Sequence, residues 1–307
     1  MHKKVDHIKV TKDMTVNDLV NAMQKSGVMG AGRMARAVSI YEKMITDPEC
    51  KIFFGFAGAM VPGGMKELVI DMLKNGWIDV FVTTGANLTH DLIEALGYSH
   101  YQGTENADDK ELREKQIDRI YDSFMPNKVY EGMEDFFAKH FDELAKEKSI
   151  KDFLWKLGSL LPDSNSILKI CSEKQIPVFC PAISDSGIGL MMWGNIAKGK
   201  SAETRAFDDL KEMLGIAWKV KKAGVFYLGG GVPKNYIQQA MQFAPKGADY
   251  GVQIKVDRPE FGGSSGADLK EGISWGKMST EGDFVDVICD ATIALPIIVA
   301  ALKSRIQ

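Results

Sequence analysis

A chain of 307 residues, 45% hydrophobic and 26% charged, has the balance of a globular protein and enough length to bury a substantial core in one large α/β domain or two ordinary ones. The formal net charge of −3 gives no electrostatic case for nucleic acid or an anionic membrane as principal partner. No apolar run is long enough to span a bilayer, and the polar start, residues 1–10, does not read as a signal peptide, so the expected setting is cytoplasmic.

In chain order, residues 18–25 read as a helix, with Leu19, Val20 and Met23 on one face. That helix removes a tempting match. Gly30-Ala31-Gly32-Arg33-Met34-Ala35 fits a Gly-x-Gly-x-x-Ala dinucleotide fingerprint as a string, but the motif needs a strand before it, so this stretch is expected to join two helices. Short β-branched or aromatic runs then predict strands at 51–57, 78–83, 177–180, 224–228, 250–256 and 284–289. Amphipathic helices are predicted at 64–74, 88–96, 130–148, 206–222 and 233–243. The charged segment 102–119 reads as a surface loop turning into a helix, and the largely helical stretch 110–172 as a cap or insertion.

Strands alternating with helices point to an α/β fold. The expectation is a Rossmann-like, doubly wound, mostly parallel sheet with helices on both faces and a helical insertion, formed as a single domain over 1–307. Cys50, Cys171, Cys180 and Cys289 show no Cys-x-x-Cys spacing, and the five histidines form no His-x-x-x-His pair. Neither a disulfide scaffold nor a metal site is expected.

Three loops follow predicted strands. Thr83-Thr84-Gly85-Ala86-Asn87 could bring backbone N–H groups and a helix amino terminus to a phosphate, or could be a tight turn capped by Asn87 or Thr89. Gly229-Gly230-Gly231 ends the strand 224–228. Three glycines there carry a conformational-entropy cost that close approach of a ligand explains better than a generic turn. The third loop, Phe261-Gly262-Gly263-Ser264-Ser265-Gly266, could be a flexible linker or a mobile wall over a site. Two aspartates accompany them. Asp185 follows the strand 177–180, and Asp290 ends 284–289 just before Ala291, where an aspartate most simply caps the next helix.

The run Glu271-Gly272-Ile273-Ser274-Trp275-Gly276-Lys277 stands apart. A lysine two residues past a tryptophan can lay its amine against the indole face, which attracts cations and shields the amine from water. Partial desolvation is what makes a lysine nucleophilic toward carbonyl or imine carbon.

Together these pieces resemble deoxyhypusine synthases over nearly the whole chain. The resemblance rests on Glu271–Lys277 together with VTTGANLTHD (82–91), IPVFCPAISD (176–185), GGGVPK (229–234), GADY (247–250) and DATIALP (290–296), in the family's order. It implies enzymes that use NAD to oxidise spermidine, pass its aminobutyl group through an imine on an active-site lysine, and deliver it to one lysine of the translation initiation factor 5A precursor. It also implies a tetramer with sites at subunit contacts. Lys277 matches the covalent lysine, and Trp275 and Glu271 match residues lining the polyamine channel. Thr84, Gly85, Asp185, Gly229, Gly230, Gly231, Asp290 and Ala291 match cofactor-contacting segments.

Four departures accompany the resemblance. Asn235, followed by Tyr236, stands where the family usually has a histidine thought to help proton transfer, which leaves Tyr236 and His90 as substitutes. Leu190 replaces an aspartate, His90 itself replaces a glutamate, and the glycine–serine loop is one residue shorter and lacks its usual acid. Alternatives are a homospermidine-forming enzyme, a transferase using another amine such as agmatine, and a catalytically silent dinucleotide-binding homologue.

Overall fold

The computed structural model describes residues 3–306. Its strands, in chain order, are β1 (Cys50–Phe56), β2 (Val80–Thr83), β3 (Tyr101–Gln102), β4 (Ile117–Ile120), β5 (Ser123–Pro126), β6 (Val178–Phe179), β7 (Lys222–Leu228), β8 (Ala248–Lys255) and β9 (Met278–Ile288). The chain, expected as one domain, gathers into two compact units interleaved in sequence. The first contains the chain up to Ala57, Trp77–Val82 and everything from Glu212; the second contains Gly58–Gly76 and Thr83–Lys211.

The first unit is built on a sheet in the order β2-β1-β7-β8-β9, in which β1 with β7, β7 with β8 and β8 with β9 all pair in parallel. Parallel strands buried on both faces read as continuous apolar runs. β1 obeys this: Phe53, Phe54 and Phe56 are all fully buried. On one face the helix Met29–Thr46 lays Tyr41 edge-on to Phe226 at 4.7 Å and donates the Tyr41 hydroxyl to the Trp77 carbonyl at 2.7 Å. On the other face the helix Gly231–Phe243 packs Ile237 against Gly55, where a Cβ would lie 3.4 Å from the Ile237 methyl. Helices thus cover both faces of this sheet, as the alternating pattern requires. Each such buried aromatic or aliphatic side chain contributes about 1.5–3 kcal/mol.

The predicted strands recur within a few residues, except that 284–289 proves to be the second half of the longer β9. Gly30–Ala35 lies in the first turns of the helix Met29–Thr46, which follows the helix Val16–Ser26 after a two-residue link, so the dinucleotide string has no strand before it.

In the second unit β3, β5 and β4 form a small antiparallel sheet that the sequence did not announce. The helix in the charged segment is only Asp109–Glu114, and β4 follows it directly. Strands of two to four residues carry too few alternations to register as a pattern. The rest is mainly helical: Gly85–Ala95, Lys128–Leu144, Ile150–Leu160, Ile167–Glu173 and Gly187–Ala197. Asp91, fully buried, fastens two of these helices by accepting from Ser166 Oγ at 2.7 Å and from the amides of Ile167 and Leu168 at 2.9 and 3.0 Å. Among the described residues no helix is long and apolar enough to cross a membrane, and the four cysteines are free thiols.

Candidate active site

Lys277 sits where a chain of tight turns delivers it to the amino end of β9. The 3-10 helix Leu269–Ile273 passes its carbonyls forward: Trp275 N–H donates to Gly272 O at 3.2 Å, Gly276 N–H to Ile273 O at 3.0 Å, and Lys277 N–H back to Gly272 O at 2.8 Å. Gly276 adopts φ +70°, the left-handed conformation that closes the turn and that a side chain would resist. The Lys277 carbonyl then accepts from Ala248 N–H at 3.0 Å, which starts the parallel pairing of β9 with β8. The side chains follow the spacing argument: Lys277 Nζ stands 4.8 Å from the centroid of the Trp275 ring, and Trp275 is 56% exposed, open to a cationic ligand.

Behind them lies a cavity of about 160 Å³ in which Lys277, Trp275 and Glu271 face Lys234, Asn235, Gln238, Ser264 and Asp268. Asn235 and Gln238 come from one side of the helix Gly231–Phe243. Tyr236, the next residue of that helix after Asn235, is not among the lining residues. Gln238 is fixed by donating to the Tyr227 hydroxyl at 3.1 Å.

The opposite wall is the glycine–serine loop, which is tied down rather than left as a linker. Lys234 Nζ, on a side chain that is 5% exposed, donates to Gln253 Oε1 at 2.9 Å, Ser264 O at 2.7 Å and Ala267 O at 2.6 Å. Gln253 donates to Ser265 O at 3.0 Å. Lys255, also buried, reaches Gly266 O and pairs with Asp268 at 2.5 Å. Asp286 receives the amide of Leu269 at 3.1 Å. Burial pushes the Lys234 ammonium down to about 8, with Lys255 acting in the same direction and the carboxylates of Asp286, Glu271 and Asp268 opposing. Burial likewise raises Asp286 above the ordinary carboxylate range. None of Gln253, Lys255, Asp268 and Asp286 was singled out from the sequence. Their only signal is polar side chains inside apolar strands, as in Tyr250-Gly-Val-Gln-Ile-Lys255.

The glycine run lies at the other end of the strands. Gly229 N–H donates to Ile254 O at 2.8 Å, six residues along β8 from the Ala248 that bonds Lys277. At about 3.3 Å per residue that is roughly 20 Å along the sheet. Gly230 packs against the serine loop, where a Cβ would come within 2.4 Å of Ser265 Cα. Gly231, with φ +55° and open space beside it, starts the helix Gly231–Phe243. Gly230 has no side chain to cap this helix; Ser265 Oγ accepts from the Gly231 N–H at 3.3 Å, and since Pro233 has no N–H, the Val232 amide and the helix dipole are what the first turn offers an anion. Asp290 does cap the helix Ala291–Lys303, accepting from Thr292 N–H at 2.7 Å, and it remains exposed.

In the second unit Thr84 caps the helix Gly85–Ala95 through Asn87 N–H at 3.4 Å. Gly85 is pressed against Ser186, leaving 2.5 Å for a Cβ. That contact brings the Thr84–Gly85 loop beside the loop carrying Asp185, which is exposed. His90 lies on the same helix, its Nδ1 2.9 Å from His100 Nε2.

The deoxyhypusine synthase family model matches residues 18–302. A protein of Methanosarcina acetivorans named probable deoxyhypusine synthase 1 is 45% identical over 300 residues, covering 97% of this chain and 94% of its own. An Archaeoglobus fulgidus protein of the same name is 39% identical over 302 residues, covering 98% of each. Among solved structures, one from Entamoeba histolytica assigned as a deoxyhypusine synthase shares the fold with a TM-score of 0.66 and 21% identity, covering 94% of this chain and 93% of its own. The chain therefore belongs to the deoxyhypusine synthase family of transferase enzymes.

Proposed function

We propose that this protein is an NAD-dependent aminobutyl transferase: it takes the aminobutyl group of spermidine onto Lys277 as an imine and passes it to a lysine of the translation initiation factor 5A precursor. The observation that carries the reading is the Lys277 amine held 4.8 Å over the Trp275 indole, at a slot that also holds Glu271.

The chain's groups suit the cofactor. The amino terminus of Gly231–Phe243, opened by Gly229–Gly231, offers the Val232 amide and the helix dipole to a diphosphate. Thr84–Gly85 opens a second helix, and the exposed carboxylates of Asp185 and Asp290, the latter beside Ala291, are acceptors suited to ribose hydroxyls. NAD, when bound, would supply the oxidation that turns the secondary amine of the donor into an imine and, kept in its reduced form, the hydride that returns the final imine to an amine.

The remaining chemistry belongs to the protein. Trp275 and Glu271 steady the polycation by its ammonium groups, one through the ring face and the other through charge. The Lys277 amine adds to the imine carbon, the bond from that carbon to the diaminopropane nitrogen breaks, and the amine leaves with a proton. The resulting Lys277 imine is then attacked by the incoming protein lysine, which frees Lys277. Asn235 and Gln238 can hold the slot by hydrogen bonding but carry no proton to exchange. The working form in this reading is a cytoplasmic homotetramer with sites at its subunit contacts.

A second reading keeps the chemistry and changes the donor. An uncharged Asn235 in the slot and an exposed Leu190 favour an amine with fewer ammonium groups to anchor, such as agmatine or putrescine.

The test is borohydride trapping. With NAD and spermidine, the wild type is expected to gain the reduced aminobutyl adduct on Lys277 and to modify the precursor, whereas Lys277→Ala does neither. Absence of adduct and of modified precursor with the wild type sinks the reading. An adduct with agmatine or putrescine but not with spermidine selects the second.

A further inference from the structure

Two buried lysines hold the loop that faces Lys277, and they spend their charges differently. Lys234 gives its three hydrogen bonds to neutral oxygens, those of Gln253, Ser264 and Ala267. Lys255, on β8 and with a side chain only 2% exposed, gives one to Gly266 O and another to the carboxylate of Asp268, 2.5 Å away. Asp268 lines the slot together with Lys277, Trp275 and Glu271. The Asp286 carboxyl also feels the Lys255 charge, but it takes the Leu269 amide and is not among the residues lining the slot.

The two acids of the slot come from one short turn. Asp268 is the residue that precedes the 3-10 helix Leu269–Ile273, and Glu271 N–H donates to Asp268 O at 3.0 Å. With three residues per turn and about 2.0 Å of rise per residue, the two side chains leave the same side of the turn roughly 6 Å apart along its axis. Left to themselves they would draw in a polycation, one ammonium to each acid. The Lys255 ammonium under Asp268 opposes that. Asp268 is 53% exposed, so water could solvate its carboxylate without a buried partner, and a neutral donor would suffice to hold Gly266 O. Burying an ammonium is costly, and its field in the interior is screened little by salt. What the lysine adds that a neutral side chain would not is positive charge behind an acid of the slot.

We propose that Lys255 sets the amine selectivity of the slot: its ammonium offsets Asp268, leaves Glu271 and the Trp275 face as the attraction for a cation, and disfavours amines as their number of ammonium groups rises. The proposal rests on the aminobutyl-transfer reading above. Lys255 acts through Asp268 and through its own field, without touching the amine. Its removal uncovers one negative charge, and an amine gains from that charge in proportion to the ammonium groups it brings near.

The experiment is a charge cycle. Dissociation constants of putrescine, spermidine and spermine, a diamine, a triamine and a tetraamine, are measured by calorimetry with NADH present so that no oxidation occurs. Lys255→Met keeps the stem and removes the charge, and is expected to bind spermidine about tenfold tighter, spermine by a larger factor and putrescine by a smaller one. Asp268→Asn leaves Lys255 uncompensated and is expected to shift the same series in the opposite direction. The double variant removes both charges and is expected to return to within about threefold of the wild type for each amine. A loop merely loosened would weaken every amine in both single variants. Constants for Lys255→Met that stay put, or that change by one common factor, overturn the proposal, as does a double variant that does not return. Should Lys255→Met fail to fold, Lys255→Gln, which keeps a donor for Gly266 O, takes its place in the cycle. A wild type that shows the expected series yet traps no adduct on Lys277 with NAD overturns the transfer reading instead, and one that binds no amine overturns both.

Discussion

Lys234→Met removes one ammonium and leaves a side chain of similar length. The ammonium makes three hydrogen bonds that pin Gln253, Ser264 and Ala267, so the change releases one wall of the Lys277 cavity. Hydrogen bonds to charged groups contribute about 1.5–3 kcal/mol each before the charge's burial is counted. That burial is large: a drop from 10.5 to about 8 is about 2.5 units, or roughly 3 kcal/mol. The two effects oppose, and with water able to reach the freed loop carbonyls the net loss at pH 7 is about 1–3 kcal/mol. The pH dependence is the sharper signature. Lys234 titrates near 8 when folded and near 10.5 when unfolded, so between those values the unfolded chain binds more protons and stability rises with pH. Below 8 both states are protonated and the full burial cost is felt. From pH 7 to 10 the wild type therefore gains about 2–3 kcal/mol that the methionine variant does not. Urea unfolding of both proteins at the two pH values measures this, since titrations common to both cancel in the difference. A wild-type advantage that stays flat or shrinks toward pH 10 refutes the reasoning.

The other expectations concern the slot. Trp275→Ala removes a ring face that contributes about 0.5–1 kcal/mol to an exposed cation, so KM for the amine rises about two- to fivefold, while Trp275→Phe stays closer to the wild type. Glu271→Gln keeps shape and removes charge. It is expected to raise KM for a triamine more than for a diamine, and equal effects on both mean that Glu271 does not face the ligand. Gly230→Ala drives a Cβ to 2.4 Å from Ser265 Cα, and thermal unfolding is expected to report a loss of about 1–3 kcal/mol. An unchanged melting point there means the serine loop gives way freely.

Legibility followed the length of the pattern and the cost of each residue. β1 and β7 announced themselves because Phe53, Phe54, Phe56 and Val225–Leu228 must be apolar to be buried on both faces. β3, β4 and β5 did not, because they are too short to show a period. Lys277 and Trp275 were found because two residues of separation across a glycine bring amine to ring without help from the rest of the fold. The residues holding the opposite wall were missed for the converse reason. Lys234, Gln253, Lys255 and Asp286 act through partners 11 to 33 residues away, and only the folded sheet brings them together. The glycine–serine loop was left open between linker and wall, and the three lysine bonds are what decide for a wall.

The charge balance of the slot follows from the same tethers. Two lysines and two acids line it, which looks neutral and poorly suited to a polycation. Yet Lys234 directs its ammonium into three carbonyl oxygens, so those acceptors rather than a ligand meet its charge. Asp268 is similarly engaged by Lys255. Glu271 and the Trp275 face are then the groups left to meet an incoming cation, on the same short turn as Lys277. A cation held by that pair lies beside the cavity's other amine, Lys277, which is not spent on structure. Buried lysines that look like obstacles to an amine substrate therefore act as scaffold, and their hydrogen bonds, made against a cost in burial, hold the loop that faces the Lys277 turn.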